Sequence, residues 1–382
     1  MSTPPDPNRV PPLPERWRRI VVKIGTSSLT DDHGRLHRPA MWALARGIET
    51  LCAAKGCQAV IVSSGAGAIG RERLGLSLPL TLPEKQAAAA VGQALLMLEW
   101  DRALAPRAVA QLLLSVADVQ DRERYVNAKH ALEATLRLGV VPVVNENDSV
   151  ATAELRVGDN DTLSAWTAYL VDADALVIVT DVAGLYEADP RRSPGARPVA
   201  VVLDAESVVE PQDRPGTTRG TGGMATKLRA ARIATRAGIE TLVIGRGGSA
   251  LEALARGEVQ GTRFLAKPRT AARKAWIAEQ APRGRVAIDA GARDALARGT
   301  SLLPSGVVAV DGDFEFGDAI DVVFEGVVVA RGLTNYGSDA LARIRGLRTD
   351  RIAEVLGAKD FDEVIHRDNL KTLARGDSMP TR

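Results

Sequence analysis

Short runs of β-branched and other apolar residues alternate with longer Ala-, Leu- and Arg-rich stretches over the first two thirds of the chain. The short runs predict strands buried on both faces, and the longer stretches predict crossover helices. The predicted strands are Ile20–Ile24, Ala59–Ser63, Val109–Leu113, Val140–Val144, Ala175–Thr180 and Thr241–Ile244. The predicted helices are Pro39–Ala54, Glu84–Leu104, Arg122–Leu138, Asp161–Leu170 and Ala225–Ala237. This alternation predicts an α/β fold with a doubly wound, mainly parallel sheet.

The pattern changes after Phe264, where the strand signals become short, closely spaced and separated by glycine-rich turns. These signals predict a small β-barrel-like domain at the C-terminal end. Its predicted strands are Val286–Asp289, Gly306–Asp311, Ala319–Phe324 and Val327–Ala330. We therefore divide the chain into a disordered proline-rich tail (1–18), a first domain (19–265), a linker (266–282), a second domain (283–365) and a C-terminal tail (366–382).

Composition excludes several classes of protein. The 382 residues include 49 Lys and Arg against 47 Asp and Glu, and a net charge of +2 does not predict a polyanionic partner. Cys52 and Cys57 have no accompanying histidine cluster, so neither a disulfide scaffold nor a zinc site is expected. The longest uncharged apolar stretch, Gln86–Leu98, is shorter than the roughly 18 residues that cross a bilayer. Without an apolar leader in the proline-rich N-terminus, we expect a cytoplasmic protein.

Polar and glycine-rich clusters follow the predicted strands. Lys23–Ser28 begins at the end of the first strand, Ser63–Gly70 begins at the end of the second, and Asn145–Asp148 follows the fourth. Gly158–Asp161 and Gly220–Lys227 each open a predicted helix. Because an open α/β sheet binds its ligand at the carboxyl ends of its strands, we expect these clusters to meet at one crevice.

Two of these clusters suggest the chemistry of the ligand. The glycines of Gly220–Lys227 leave helix N-terminal amides free for a phosphate, and Lys227 adds a full positive charge. The side chains of Asn145–Asp148 and Asn160 suit the ammonium and carboxylate groups of an amino acid, although helix capping alone explains Asp159 or Asn160.

Gly65, Gly67 and Gly70 also match the G-x-G-x-x-G fingerprint of dinucleotide-binding enzymes, which makes a nicotinamide-type oxidoreductase a rival interpretation. That fold needs an uninterrupted helix after the glycines, whereas Pro79 and Pro83 interrupt this region. The glycines remain suited to close approach of a small polar ligand.

The clusters resemble the amino acid kinase family through VVKIGTSSLT, VSSGAGAIGRERLG, VNENDSVATAE, VGDND, VTDVAGLYEADPR and GTGGMATK. The C-terminal motifs RGTSLLPSGV, GDFEFGDAIDV and ARGLTNYGSDAL are similar to a PUA domain. Together they look most like the family members that phosphorylate L-glutamate. The resemblance implies transfer of the ATP γ-phosphoryl group to the γ-carboxylate of L-glutamate, giving L-glutamyl 5-phosphate for proline biosynthesis, with Mg²⁺ bound through ATP.

The resemblance also implies roles for individual residues. Lys23 would neutralise the transferring phosphoryl group, Lys227 the β- and γ-phosphates, and Asp161 would hold both lysines as the third catalytic residue. The implied glutamate-binding residues are Ser64, Asp148 and Asn160. The implied ATP-binding residues are Lys23, Thr180, Asp181, Thr221, Gly222, Gly223, Met224, Ala225, Thr226 and Lys227.

Further properties follow only from the resemblance: feedback inhibition by proline, a homodimer or homotetramer, and transfer of the product to glutamyl phosphate reductase. The Gly65–Gly70 loop and Arg156 depart from the usual family pattern, so the shape of that loop and the control by proline stay open. The alternatives are an amino acid kinase that acts on another carboxylate and a PUA-type RNA-binding protein. The slightly acidic C-terminal region disfavours RNA, and no membrane or nucleic-acid partner is expected.

Overall fold

The computed structural model describes residues 11–150, 159–182, 184–188, 193, 195–209, 223–266, 277, 280–357, 359 and 361–373. The chain forms two compact units, residues 1–267 and 268–382, each with its own sheet. Most of the predicted linker lies outside the described residues.

The strands of the first unit are β1 (Arg19–Ile24), β2 (Gln58–Ser63), β3 (Val109–Leu114), β4 (Val141–Glu146), β5 (Ala175–Thr180), β6 (Leu185–Tyr186), β7 (Pro198–Val199), β8 (Val201–Val202), β9 (Glu240–Gly245) and β10 (Gly261–Phe264). Its helices are α1 (Thr26–Leu29), α2 (Arg38–Lys55), α3 (Ala66–Leu74), α4 (Leu82–Leu104), α5 (Val116–Gln120), α6 (Arg122–Arg137), α7 (Asp159–Leu170), α8 (Met224–Arg236) and α9 (Gly248–Ala255). None of the helices among the described residues has both the length and the apolar character of a membrane-spanning segment.

One large sheet forms the centre of the first unit, with strand order β3-β4-β2-β1-β5-β9-β10-β8. The first six of these strands run parallel to their neighbours, and β10 pairs antiparallel with β9. The predicted doubly wound, mainly parallel sheet is confirmed. The short β10, with sequence GTRF, was not predicted because four residues with two polar side chains give no strand pattern.

Alternate residues of each strand enter different cores. Ile20, Val22 and Ile24 of β1 pack with α2, α4 and α9 on one face of the sheet. Val21 packs with α6, α7 and α8 on the other face. Since side chains along a strand alternate between faces, Lys23 lies on the same face as Val21. The strand pattern therefore directs a lysine toward α7 and α8.

We predicted a disordered proline-rich tail over residues 1–18, but the end of this segment packs against the first unit. Residues 1–10 lie outside the described residues. Trp17 is buried, and its backbone N–H donates to the carbonyl of Lys55 at 3.1 Å. The Lys55 Nζ donates to the carbonyl of Pro14 at 2.9 Å. Proline lacks an N–H but keeps its carbonyl acceptor, so a proline-rich segment can still be held by donors of the domain.

Helices α3 and α4 cross with almost no space between their backbones. A Cβ atom added to Gly70 would lie 1.7 Å from the Ala88 carbonyl oxygen, and one added to Gly92 would lie 1.8 Å from the Ala66 carbonyl oxygen. Only glycine fits at these two positions. The crossing fixes α4 against the loop that follows β2.

We predict that Gly70→Ala or Gly92→Ala lowers the free energy of unfolding by about 2 kcal/mol or more, because the added methyl group must push two backbones apart. Chemical denaturation measures the change. Gly67→Ala is the matched control in α3, since a Cβ atom added there would meet no atom of another element within 4 Å. The control should be as stable as wild type or more so, and a Gly92→Ala variant of equal stability would contradict the close crossing.

The second unit is a smaller α/β unit around a five-stranded sheet with the order β12-β11-β13-β14-β15. Its strands are β11 (Gly284–Ile288), β12 (Val307–Gly312), β13 (Ala319–Phe324), β14 (Val327–Leu333) and β15 (Leu370–Thr372). Its helices are α10 (Ala290–Ala297), α11 (Ser338–Ile344) and α12 (Ile352–Leu356). A separate core, which includes Val286, Phe314 and Ile320, holds this unit together.

We predicted a C-terminal tail over residues 366–382. The predicted start of this tail is wrong, because residues after 366 still belong to the second unit. Strand β15 pairs antiparallel with β14, and Leu370 belongs to the core of the second unit. A strand of three residues gives too short a pattern to be recognised in the sequence. Residues 374–382 lie outside the described residues.

Candidate active site

Three buried charged side chains meet at the carboxyl end of β1. The Lys23 Nζ lies 2.6 Å from Asp161 Oδ1, and the Lys227 Nζ lies 3.3 Å from Asp161 Oδ2. All three residues are at most 6% exposed. One carboxylate thus holds two ammonium groups that come from elements far apart in the sequence.

The topology of the fold explains this meeting. Lys23 is on the face of β1 that α7 and α8 cover, Asp161 lies in the first turn of α7, and Lys227 in the first turn of α8. Both helices therefore begin at the edge of the sheet where β1 ends. The partial positive charge of a helix N-terminus adds to the two lysine charges, which makes this edge suitable for an anion.

Burial and charge act in opposite directions on these groups. Burial lowers the pKa of Lys23 below its usual 10.5, with a further contribution from the charge of Lys227, although Asp161 opposes both. For Asp161, burial alone would raise the pKa, but the charges of Lys23 and Lys227 outweigh it and leave the pKa below 3.8. Asp161 is therefore ionised at neutral pH.

Asp161 has a further partner that fixes its orientation. The hydroxyl of Thr226 donates to Asp161 Oδ2 at 2.6 Å and is itself buried. Gly223 caps α8, and Met224 and Ala225 form its first turn before Thr226. The start of α8 is thus attached to the same carboxylate that holds the two lysines.

A chain of polar side chains lies next to this charged group. The Asn160 Nδ2 donates to Ser64 Oγ at 3.0 Å and to Asn145 Oδ1 at 3.0 Å. The Asn145 Nδ2 donates to Gln93 Oε1 at 2.8 Å. Ser64 follows β2, Asn145 is in β4 and Asn160 is in the first turn of α7, so the ends of two parallel strands and the start of one helix contribute to one site.

The remaining predicted residues are distributed around this centre. Thr180 ends β5, and its hydroxyl donates to Asp181 Oδ1 at 3.1 Å. Asp181 is close enough for its charge to raise the pKa of Lys23 slightly. Asp148 begins a 3-10 turn after β4 and lines a pocket of about 250 Å³ together with Gln93 and other residues. Asp148 is therefore placed on the side of the site where Gln93 lies.

Two predicted ATP-binding residues lie outside the described part of the chain, and one residue of the site was not predicted. Thr221, Gly222 and Arg156 lie outside the described residues. Gln93 was not predicted as a site residue. The signal that could have found it is a glutamine within the otherwise apolar and alanine-rich α4, where a buried amide needs a specific partner.

Family models and curated relatives match this chain. The family model "Amino acid kinase family" matches residues 18–245, and the "PUA domain" model matches residues 284–356. A glutamate 5-kinase of Moorella thermoacetica is 49% identical over 365 residues, which cover 93% of this chain and 96% of that protein. A glutamate 5-kinase of Myxococcus xanthus is 50% identical over 365 residues, with the same coverage of 93% and 96%.

The UMP kinase of Bacillus anthracis matches 65% of this chain and 96% of its own, with 17% identity and a TM-score of 0.46. The family model and the relatives show that the chain belongs to the amino acid kinase family. Within that family, the relatives that it matches over nearly its whole length include glutamate 5-kinases, and a PUA domain follows its kinase domain.

We predict that Asp161→Asn lowers the free energy of unfolding by about 3 kcal/mol or more, because two buried ammonium groups then lose the charge between them. Thermal unfolding measures the loss. The control is Asp181→Asn, which removes an exposed carboxylate from the same region and should change stability little. Equal stability of the two variants would contradict a structural role for the Asp161 carboxylate.

The pKa of Lys23 gives a second prediction. In Asp161→Asn we expect this pKa to fall further below 10.5, because burial and the Lys227 charge then act without their main opponent. NMR of protein labelled with ¹³C at the lysine ε-carbon measures it, and Lys23→Arg assigns the signal. A pKa that rises or stays unchanged would show that Asp161 does not pair with Lys23 in solution.

Proposed function

We propose that this chain transfers the γ-phosphoryl group of ATP to the γ-carboxylate of L-glutamate and so forms L-glutamyl 5-phosphate. The observation that carries the proposal is the pair of buried ammonium groups on Asp161, with Asn160 and Ser64 hydrogen-bonded beside it. This reaction is also the one that the names of the full-length relatives give.

The chemistry of the reaction needs cations more than a base. A glutamate side chain has a pKa of about 4.3, so the attacking carboxylate is ionised at neutral pH without help from the protein. The barrier comes from bringing an anion up to a polyphosphate. Two unit charges about 4 Å apart interact by roughly 4 kcal/mol at an effective dielectric of 20. Fixed positive charges at the transferring group offset this repulsion.

In this proposal Lys23 neutralises the transferring phosphoryl group and Lys227 the β- and γ-phosphates. Asp161 is ionised and holds both lysines in place before ATP binds, so little reorganisation is needed during the reaction. Because Asp161 carries one charge against two, the three side chains keep a net positive charge for the incoming phosphates. The N-terminal amides of α8 lie next to Lys227 and favour the same phosphates.

On the acceptor side, Ser64, Asp148 and Asn160 would bind glutamate. Thr180, Asp181 and residues 221–227 would bind ATP, and the first two lie at the end of a strand neighbouring β1 in the sheet. The acceptor and the nucleotide would then approach Lys23 from opposite sides of β1, with β2 on one side and β5 on the other. The transferring group would then lie between them.

Magnesium fits this arrangement as an ion carried by ATP. Both carboxylate oxygens of Asp161 contact lysines, and among the described residues no group of three or more His, Cys, Asp or Glu side chains could hold a metal. In this proposal the phosphates of ATP bind the Mg²⁺ ion. Bound to the nucleotide phosphates, the ion would reduce their negative charge.

The proposal extends to the biological setting of the reaction. L-Glutamyl 5-phosphate is a reactive acyl phosphate, so a reductase that accepts it, as in proline biosynthesis, would limit its hydrolysis. Proline as feedback inhibitor, a homodimer or homotetramer and a cytoplasmic location belong to the same proposal. The relatives' name, glutamate 5-kinase, supports the reaction itself.

The test is a coupled assay of ADP release with ATP, Mg²⁺ and L-glutamate, with L-aspartate and N-acetyl-L-glutamate as alternative acceptors. We expect release with L-glutamate well above the rate without an acceptor. No such release would remove the proposal, and faster release with another acceptor would favour a kinase acting on a different carboxylate.

The lysine variants test the assigned roles in the same assay. We expect Lys23→Ala and Lys227→Ala each to lower kcat by about 100-fold or more, since each removes a charge that acts mainly in the transition state. The control is Lys85→Ala, which removes an exposed lysine from the start of α4 and should leave kcat unchanged. Near-wild-type kcat in either site variant, with the fold intact by circular dichroism, would show that the assignment is wrong.

A further inference from the structure

A series of amide and hydroxyl side chains continues from the candidate substrate site into the body of the domain. The series runs from Ser64 through Asn160 and Asn145 to Gln93, and the Gln93 Nε2 then donates to Gln111 Oε1 at 3.2 Å. We call the side chains of Asn160, Asn145 and Gln93 the amide relay. Asn145 and Gln93 are buried, whereas Gln111 is exposed.

A backbone group determines the orientation of the amide relay. The backbone N–H of Glu146 donates to Asn145 Oδ1 at 2.9 Å, and a backbone N–H can only donate. The oxygen of Asn145 must therefore face Glu146, and its Nδ2 must face Gln93. Gln93 then has to accept with its oxygen, and Asn160 has to donate with its Nδ2. Each amide of the relay has one allowed orientation.

The orientation leaves one acceptor and one donor for a ligand. The Asn160 Oδ1 is buried and has no hydrogen-bond partner among the residues that the structure describes. The Ser64 hydroxyl accepts from Asn160, so its single hydrogen remains able to donate. An oxygen acceptor suits the α-ammonium of an amino acid, and a hydroxyl donor suits a carboxylate. The pair therefore has the polarity that a zwitterionic amino acid requires.

We propose that Gln93 is a positioning residue that holds Asn145, and through it Asn160, in the orientation that presents Asn160 Oδ1 to the substrate ammonium. This inference rests on the proposed function, because it assumes that an amino acid binds beside Asp161. Without the Gln93 oxygen, the buried Nδ2 of Asn145 loses the acceptor that it has among the described residues. Rotation of Asn145 would then break its hydrogen bond with Asn160. The site would no longer favour an acid with an ammonium group over one without.

Helix α4 is rigidly placed for this role. Gly92, the residue before Gln93, packs directly on the carbonyl oxygen of Ala66 at the start of α3. Two turns later, the Trp100 Nε1 donates to Ser63 Oγ at 2.9 Å, beside the substrate residue Ser64. Helix α4 thus contacts the start of α3 and the end of β2, at points on either side of Gln93.

The experiment compares L-glutamate with glutarate, the same dicarboxylate without the ammonium group. The readouts are the ratio of kcat/KM values in the ADP-release assay, the KM for ATP, and binding of both acids by titration calorimetry. Gln93→Met removes the acceptor at similar volume, and Gln93→Glu keeps an acceptor oxygen for Asn145. Gln86→Met makes the same change at another glutamine of α4 outside the relay.

We expect Gln93→Met to lower the preference for glutamate over glutarate by about tenfold or more, with the KM for ATP unchanged. Gln93→Glu and Gln86→Met should keep the wild-type preference within about threefold. The exposed amide of Gln111 can rotate to donate to the carboxylate that Gln93→Glu introduces. Loss of activity in Gln93→Met with an unchanged preference would indicate a structural role only and would overturn the inference.

Two further outcomes separate this inference from the proposed function. If Gln93→Met does not fold, the test uses Gln93→Glu instead. A tenfold loss of the preference for glutamate over glutarate in that variant overturns the inference. If wild type releases no ADP with glutamate, the proposed function fails, and calorimetry then tests the relay alone. Wild type that binds glutamate no better than glutarate also overturns the inference.

Discussion

The candidate site depends on one interaction, the contact of the Asp161 carboxylate with two buried ammonium groups. Two ammonium groups side by side in a buried site need an anion between them, because burial and mutual repulsion both disfavour the charged form. Asp161 supplies that anion and remains ionised because the two lysines outweigh the effect of burial on its pKa. The result is a compact group with a net positive charge that exists before any ligand arrives. For phosphoryl transfer, such a prearranged charge is more useful than a general base, since the acceptor carboxylate is already ionised.

The fold supplies this interaction through the polarity of its sheet. The carboxyl ends of β1, β2, β4 and β5 lie at the same edge, so a lysine, a serine, an asparagine and a threonine far apart in sequence reach one region. Helices α7 and α8 begin at this edge and bring Asp161 and Lys227. Helix α4 contributes from the other face of the sheet, because its close crossing with α3 and its contact with Ser63 tie it to the end of β2.

Much of the fold could be predicted from the chain itself, because fully buried parallel strands give long apolar runs that are easy to recognise. The pairing of Lys23, Asp161 and Lys227 was expected from the resemblance and is present as contacts, whereas their roles remain proposals. The short strands β10 and β15 were missed because three or four residues give no pattern. Trp17 was placed in a tail because the prolines around it suggested disorder. Gln93 was missed for a different reason: its partners, Asn145 and Gln111, are distant in sequence, and a helix pattern does not show which buried amide finds a partner.

The most direct measurement of the central claim is a crystal structure of the protein with Mg²⁺, a non-hydrolysable ATP analogue and L-glutamate. The account predicts that the Nζ atoms of both Lys23 and Lys227 lie within about 4 Å of oxygens of the β- or γ-phosphate, with Asp161 between the two lysines. It would be contradicted by a nucleotide bound elsewhere, or by phosphates that contact neither lysine while the carboxylate of Asp161 faces solvent.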